Sequence, residues 1–190
     1  MKIILASQSP RRRELLGLMG LTDFEIRPAR GEEDMSAPLT PDRLVESLAA
    51  AKGAEVAAQA APADVVIAAD TIVTLDGKVL GKPRSEGEAA EMLRTLSGRT
   101  HVVYTGVVVI QGGRRLVRHE ATEVVFRALT DEEISHYIAT GEPMDKAGAY
   151  GIQGRGALLV EGIRGDYFNV MGLPVCKLGQ MLREFGIATL

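Results

Sequence analysis

The sequence predicts an α/β fold, and three observations carry the prediction. Strand-like and helix-like patterns alternate along the 190 residues. Two apolar runs, residues 3–6 and 65–75, are too continuous to keep one face wet, and read as buried strands. Between such runs, apolar residues recur at three-and-four spacing behind Ser or Thr and ahead of glycine, the punctuation of amphipathic helices.

Ile3, Ile4, Leu5 and Ala6 form the first strand, and a helix opens directly behind it. Ser9 is an N-cap residue, Pro10 suits the first helical position, and Leu15, Leu16 and Met19 supply an apolar stripe up to Gly20. The charge is the oddity. Arg11, Arg12 and Arg13 occupy a first turn whose dipole is already positive and whose N–H groups lack partners. Such a strand-to-helix turn is a site for a phosphate; the other reading is a solvated basic turn pointing away from the helix end. Residues 23–27 alternate like a short strand. Residues 29–40 form a long polar loop carrying Glu32, Glu33 and Asp34, either a solvated tip or a metal-binding group.

Thr40 and Pro41 then cap a helix to about Ala60, with Leu44, Val45, Leu48, Ala49 and Val56 on one face. Lys52 falls on that face, where a lysine either snorkels to the rim or delivers its ammonium to a cleft. The run 65–75 is a central strand or a strand pair with Asp70 in its middle. A lone ionised carboxylate there would be very costly, so Asp70 must be paired, metal-bound or open to a polar cleft. Asp76-Gly77 is a hairpin turn that returns the chain to Gly81-Lys82-Pro83, where the proline keeps the backbone beside Lys82 extended.

Ser85 and Glu88 read as a capping box opening a helix with Ala89, Met92, Leu93 and Leu96 inward, ended by Gly98. Residues 101–110 and 116–126 pair as antiparallel strands around Gly112-Gly113. A second capping box, Thr130 and Glu133, opens a helix holding Ile134, Tyr137 and Ile138 and closed by Gly141. The glycine-rich stretch from there to Gly154 is expected to let backbone approach a ligand closely. Residues 157–162 are expected to form another strand, and Gly172-Leu173-Pro174 to start a final helix with Val175, Leu178, Leu182 and Phe185 inward.

A chain of this length can build one substantial core, as one domain or two lobes. Its 25 acidic and 22 basic residues leave a formal charge of −3, which argues against a general nucleic-acid binder. Four Phe and four Tyr argue against base-stacking RNA platforms. No apolar run is long enough to cross a bilayer, and the start does not resemble a signal peptide. The single Cys176 excludes an intramolecular disulfide and fits a reducing cytoplasm; it reads as a small core residue rather than a nucleophile. His101, His119 and His136 are too scattered to suggest a histidine zinc site.

Five stretches carry a resemblance. In order they are Ser7-x-Ser9-Pro10-Arg11-Arg12-x-Glu14-Leu15-Leu16, Ala69-Asp70-Thr71-x-Val73, Gly81-Lys82-Pro83, Leu96-Ser97-Gly98-x-Thr100-His101 and Asp145-Lys146-Ala147-Gly148. Together they resemble the Maf family of nucleoside triphosphate pyrophosphatases, also called septum formation inhibitors. The resemblance runs essentially the whole chain. It implies an elongated mixed β-sheet flanked by helices, similar to inosine triphosphatases, as one domain over residues 1–190 with a cleft between two lobes. It also implies cleavage of a nucleoside triphosphate to the monophosphate and pyrophosphate with a divalent cation, Mg²⁺ or Mn²⁺. Ala149-Tyr150-Gly151-Ile152-Gln153-Gly154 resembles the branch acting on dTTP and UTP, with modified pyrimidine nucleotides as further candidates. A homodimer is common in the family and is the expectation here. The older family name supports a second reading, a nucleotide-binding regulator of cell division with little turnover, which would not need Asp70 or the lysines.

Within that resemblance Asp70 is the proton acceptor for an attacking water, although a role as metal ligand is chemically as reasonable. Glu33 is the metal or water partner from the acidic loop. Lys52 and Lys82 suit the charge on the phosphoryl group and the leaving pyrophosphate. Ser7, Arg11 and Arg12 hold phosphate oxygens at the helix N-terminus, and Asp145 and Lys146 join them as substrate-binding residues. Arg11, Thr71 and Gln153 fall at positions that govern substrate choice, and an amide such as Gln153 can pair with the edge of a uracil or thymine ring.

Overall fold

The computed structural model describes residues 1–31 and 38–189. Among these residues, seven strands form one mixed sheet flanked by helices. The strands are β1 (Ile3–Leu5), β2 (Glu25–Ile26), β3 (Val65–Leu75), β4 (Lys78–Leu80), β5 (Thr100–Gln111), β6 (Arg114–Phe126) and β7 (Val160–Arg164). Their order is β2-β1-β3-β5-β6-β7, with β4 beside β3. β1 pairs in parallel with both β2 and β3, as its helical connections require, while β3 with β4 and β6 with β7 are antiparallel. The hairpin after β3 turns on Asp76 (φ 50°) and Gly77 (φ 75°), both left-handed, the backbone a tight two-residue turn demands.

The α-helices are α1 (Pro10–Leu18), α2 (Pro41–Ala57), α3 (Glu86–Leu96), α4 (Asp131–Ile138), α5 (Tyr167–Met171) and α6 (Val175–Glu184). None is long and apolar enough to cross a membrane. The chain divides into two compact units. The first comprises residues 1–70, 105–120 and 172–190, and the second residues 71–104 and 121–171. The first has a core of Ile4, Ala6, Ala49, Val56, Val66, Ala68, Val108 and Ile110. The second is built around Val73, Leu93, Leu96, Val124, Phe126, Ile134, Tyr137 and Tyr150, among others.

Most expected elements are present, and the departures have local reasons. The strand expected over residues 157–162 starts only at Val160, because Gly154–Leu159 winds as a 3-10 helix. The strand over 23–27 shrinks to two residues. Thr130 and Glu133 form a complete capping box. At Ser85 only half of one forms: the Ser85 hydroxyl accepts from the Glu88 N–H, but the Glu88 carboxylate reaches past Ser85 to the Arg84 N–H at 2.7 Å. Cys176 is exposed, not a core residue. It lies two positions before buried Leu178, about 200° around the helix and so off the buried face. The short α5 had no clear signal in the sequence.

Candidate functional site

In the first unit, the turn from β1 into α1 is built as the sequence implies. Ser9 caps α1, its hydroxyl accepting from the Arg12 N–H at 3.4 Å, and Pro10 takes the first helical position. Ser7, at the end of the β1 segment, is buried (8% exposed). Its hydroxyl oxygen accepts from the Ser9 N–H and from Arg12 Nη1, both at 3.2 Å. Both lone-pair directions are thus engaged, and the hydroxyl retains a proton it can donate. Arg12 is also anchored by Nε to the Gly172 carbonyl at 2.8 Å. That anchoring answers part of the oddity: this arginine near the positive helix end is fixed by protein acceptors. Arg11 is half-buried and Arg13 exposed.

Lys52 and Asp70 form an ion pair, the Lys52 ammonium donating to Asp70 Oδ1. Asp70 is 6% exposed on β3 and the Lys52 side chain 19% exposed on α2. Pairing, one of the three options for a buried carboxylate, is present, and the attraction offsets much of the cost of desolvating both charges. The contact depends on how closely α2 lies on the sheet. A Cβ on Gly53 would be 2.6 Å from Val108 Cγ1, and one on Gly106 would be 2.1 Å from the Val45 carbonyl oxygen. Only glycine fits at either place, so the helix settles low enough for Lys52 to reach Asp70. Sequence reasoning passed over Gly106. Its signal was available, since an isolated glycine inside a strand pattern marks a close backbone approach.

In the second unit, Thr71 follows Asp70 on β3 and is half-buried, while Lys82 is exposed between two fixed neighbours. The Gly81 carbonyl accepts from the Gly148 N–H at 3.0 Å, and Pro83 is buried. Lys146 donates from Nζ to Asp145 Oδ1 and to the Glu142 carbonyl, each at 2.6 Å, and its side chain is 14% exposed. Gln153 is half-buried at the head of the 3-10 helix Gly154–Leu159. Two of the glycines here have an internal packing reason: a Cβ on Gly151 would be 2.7 Å from Lys146 Cε, and one on Gly154 would be 2.7 Å from Glu142 Oε2. Glu142 was not singled out in the sequence. Its carboxylate accepts from the Tyr137 hydroxyl and from the Arg155 and Gly156 N–H groups. Burial and the nearby Glu142 carboxylate push the Tyr137 hydroxyl well above its ordinary pKa, so it remains a proton donor.

For a metal ion, the described residues contain no group of three or more His, Cys, Asp and Glu side chains able to hold one. Glu33, with Glu32 and Asp34, lies outside the described residues. Asp70 offers a single carboxylate, which fits a cation that arrives with a polyphosphate and takes most ligands from it and from water.

The chain matches the sequence profile of a family described as Maf-like protein over residues 2–185. A protein of Moorella thermoacetica named dTTP/UTP pyrophosphatase is 56% identical, covering 98% of this chain and 96% of its own length. One of the same name from Bacillus pumilus is 52% identical over 98% of this chain and 97% of its own. Among solved structures, a HAM1 protein from Coxiella burnetii aligns with a TM-score of 0.57 at 17% identity, covering 97% of this chain and 99% of that one, which shows a shared fold.

Proposed function

This chain belongs to the Maf-like protein family, and on that footing we propose that it hydrolyses dTTP and UTP to the nucleoside monophosphate and pyrophosphate. The observation that carries the chemistry is the Lys52–Asp70 pair, a carboxylate and an ammonium held together out of bulk water on a helix and a strand. A protein that only sequestered nucleotide would need cations for the phosphates, but no buried carboxylate among them.

Cleavage of the α–β anhydride needs a positioned water, a proton acceptor and compensation of the charge that gathers on the leaving pyrophosphate. Asp70 takes the proton of the attacking water at its carboxylate, and Lys52 keeps that carboxylate oriented and places positive charge beside the phosphoryl oxygens. The Ser7 hydroxyl, Arg12 and Arg11 at the N-terminus of α1 hold phosphate oxygens, favoured by the helix dipole. Lys82 adds a second ammonium for the leaving group, and Asp145 and Lys146 belong to the substrate-binding set. A bound divalent cation, Mg²⁺ or Mn²⁺, would supply charge neutralisation on the polyphosphate, with Asp70 and Glu33 as its carboxylates. Thr71, Arg11 and Gln153 set the choice of nucleotide, the Gln153 amide pairing with the O4 acceptor and N3 donor that distinguish uracil and thymine from cytosine. The reaction belongs to a reducing cytoplasm, where such nucleotides are found.

The test is release of pyrophosphate and monophosphate from dTTP, UTP, CTP and GTP, with modified pyrimidine triphosphates alongside. Stoichiometric pyrophosphate from dTTP and UTP, lost in Asp70→Asn, is the expected result. Tight nucleotide binding without release would instead establish the regulator.

A further inference from the structure

Gln153 sits in a segment with little regular structure, yet the backbone on both sides of it is fastened to two side chains. Gly151 donates its N–H to the Tyr137 hydroxyl at 3.1 Å. Tyr137 in turn donates that hydroxyl to Glu142 Oε1 at 2.9 Å. Past Gln153, Arg155 donates its N–H to Glu142 Oε2 and Gly156 to Oε1, each at 3.1 Å. One carboxylate and one phenol therefore hold the backbone two residues before Gln153 and two and three residues after it. The fit leaves no room for side chains. Gly154, at φ 63°, faces Glu142 Oε2, and a Cβ on Gly156 would be 2.7 Å from the Tyr137 hydroxyl. Lys146 tightens the same knot by donating to the Glu142 carbonyl while its stem passes over Gly151.

We propose that Glu142, acting with Tyr137, is a positioning residue for nucleotide selectivity: it sets where the Gln153 amide lies and so how well that amide reads the base. The inference rests on the base-reading role proposed for Gln153. Hydrogen bonds to a planar base edge are directional, and a shift of the carrier backbone by a fraction of an ångström weakens both at once. A carboxylate suits the task because N–H bonds to a charged acceptor are stronger than neutral ones. Glu142 touches neither phosphate nor base in this scheme. Its removal degrades discrimination rather than chemistry.

The experiment compares kcat/KM for UTP and CTP, by pyrophosphate release with Mg²⁺ present, in the full chain and in Gln153→Ala, Glu142→Ala, Tyr137→Phe and the double variant Gln153→Ala/Glu142→Ala. Each single alanine variant is expected to narrow the UTP-to-CTP ratio roughly tenfold, mainly through KM for UTP, the scale of one well-aligned hydrogen bond lost. The double variant should be no less selective than Gln153→Ala alone, because Glu142 works only through that amide. If Gln153→Ala narrows the ratio while a folded Glu142→Ala does not, the positioning role falls and the base-reading role stands. Narrowing that adds up in the double variant also overturns it, since Glu142 then acts by another route. If Gln153→Ala leaves the ratio unchanged, the base-reading role fails and this inference with it. Should Glu142→Ala not fold, Tyr137→Phe, which deletes one oxygen, decides: a partial narrowing supports the proposal, and an unchanged ratio overturns it.

Discussion

The Lys52–Asp70 pair assigned to hydrolysis and the glutamine assigned to reading the base, Gln153, are held by different means. Lys52 and Asp70 stand on a seventeen-residue helix and an eleven-residue strand, and their meeting is decided by backbone packing at Gly53 and Gly106. Gln153 stands among short 3-10 turns, and its place is decided by side chains, Glu142 and Tyr137, that capture loose backbone N–H groups. A group that must move a proton gains from a rigid frame, because misplacement directly raises the barrier. A group that selects among bases can sit on a segment whose position is set by a few polar contacts, and exchanging those contacts retunes selectivity without disturbing the frame.

The largest expected effect tests the frame. Asp70→Asn, nearly isosteric, should lower turnover by roughly 10²-fold or more, the scale of losing a general base. It should also lower thermal stability, because the Lys52 ammonium loses its counter-charge in a largely buried place. Near-native turnover in the folded variant would take Asp70 out of the reaction.

The second prediction probes the other unit. His101 is 1% exposed, packed edge-on against Phe126 and Tyr150, with Nε2 2.7 Å from the Tyr150 hydroxyl; among the described residues Nδ1 has no hydrogen-bond partner. Burial pushes its pKa down from the ordinary 6.5 to about 4. Between these values the unfolded chain binds a proton that the folded chain refuses. Stability is therefore complete above the unfolded value and declines as pH falls towards the folded one, by on the order of 3 kcal/mol over the whole window. Denaturant titrations at pH about 7 and about 5 measure it, and His101→Gln should flatten the dependence. A wild-type stability that stays level across that range would mean the imidazole is protonated in place.

Gly106→Ala sharpens the comparison from the packing side. The added methyl meets the Val45 carbonyl, not a flexible side-chain tip, so α2 must lift from the strand. A loss of about 1–3 kcal/mol in stability is expected, together with reduced turnover as Lys52 is drawn from Asp70. Full activity would show that the pair tolerates a raised helix. The smallest effect belongs to Arg12→Ala. Removing its bonds to the Gly172 carbonyl and the Ser7 hydroxyl should cost about 1 kcal/mol in the apo protein and weaken nucleotide affinity as well. Calorimetric melts with and without UTP separate the two. The helix-dipole argument by itself, in which removing a cation from a helix N-terminus is neutral or stabilising, predicts the opposite sign for the apo protein.

Sequence alone determined whatever depends on neighbours a few residues apart. The turn from β1 into α1, the complete capping box at Thr130, the Asp76-Gly77 hairpin and the buried faces of α2, α3 and α4 all follow from periodicity and caps, which are local physics. The requirement that Asp70 have a partner was equally legible, because a charge inside an apolar run is costly on any fold. Which partner it has was not, since Lys52 is eighteen residues away and reaches Asp70 only because glycines let α2 settle on the sheet. The role of Glu142 was hidden for the same reason. An acid beside a proline on a polar turn looks like any solvated charge until the chain folds the Arg155 and Gly156 N–H groups back onto it. Cys176 shows that composition alone misleads: a small apolar residue reads as core, yet its place about 200° around the helix from Leu178 already puts it off the buried face. Periodicity specifies which faces are buried. The partners that meet across those faces are chosen by close approach, and close approach exists only in three dimensions.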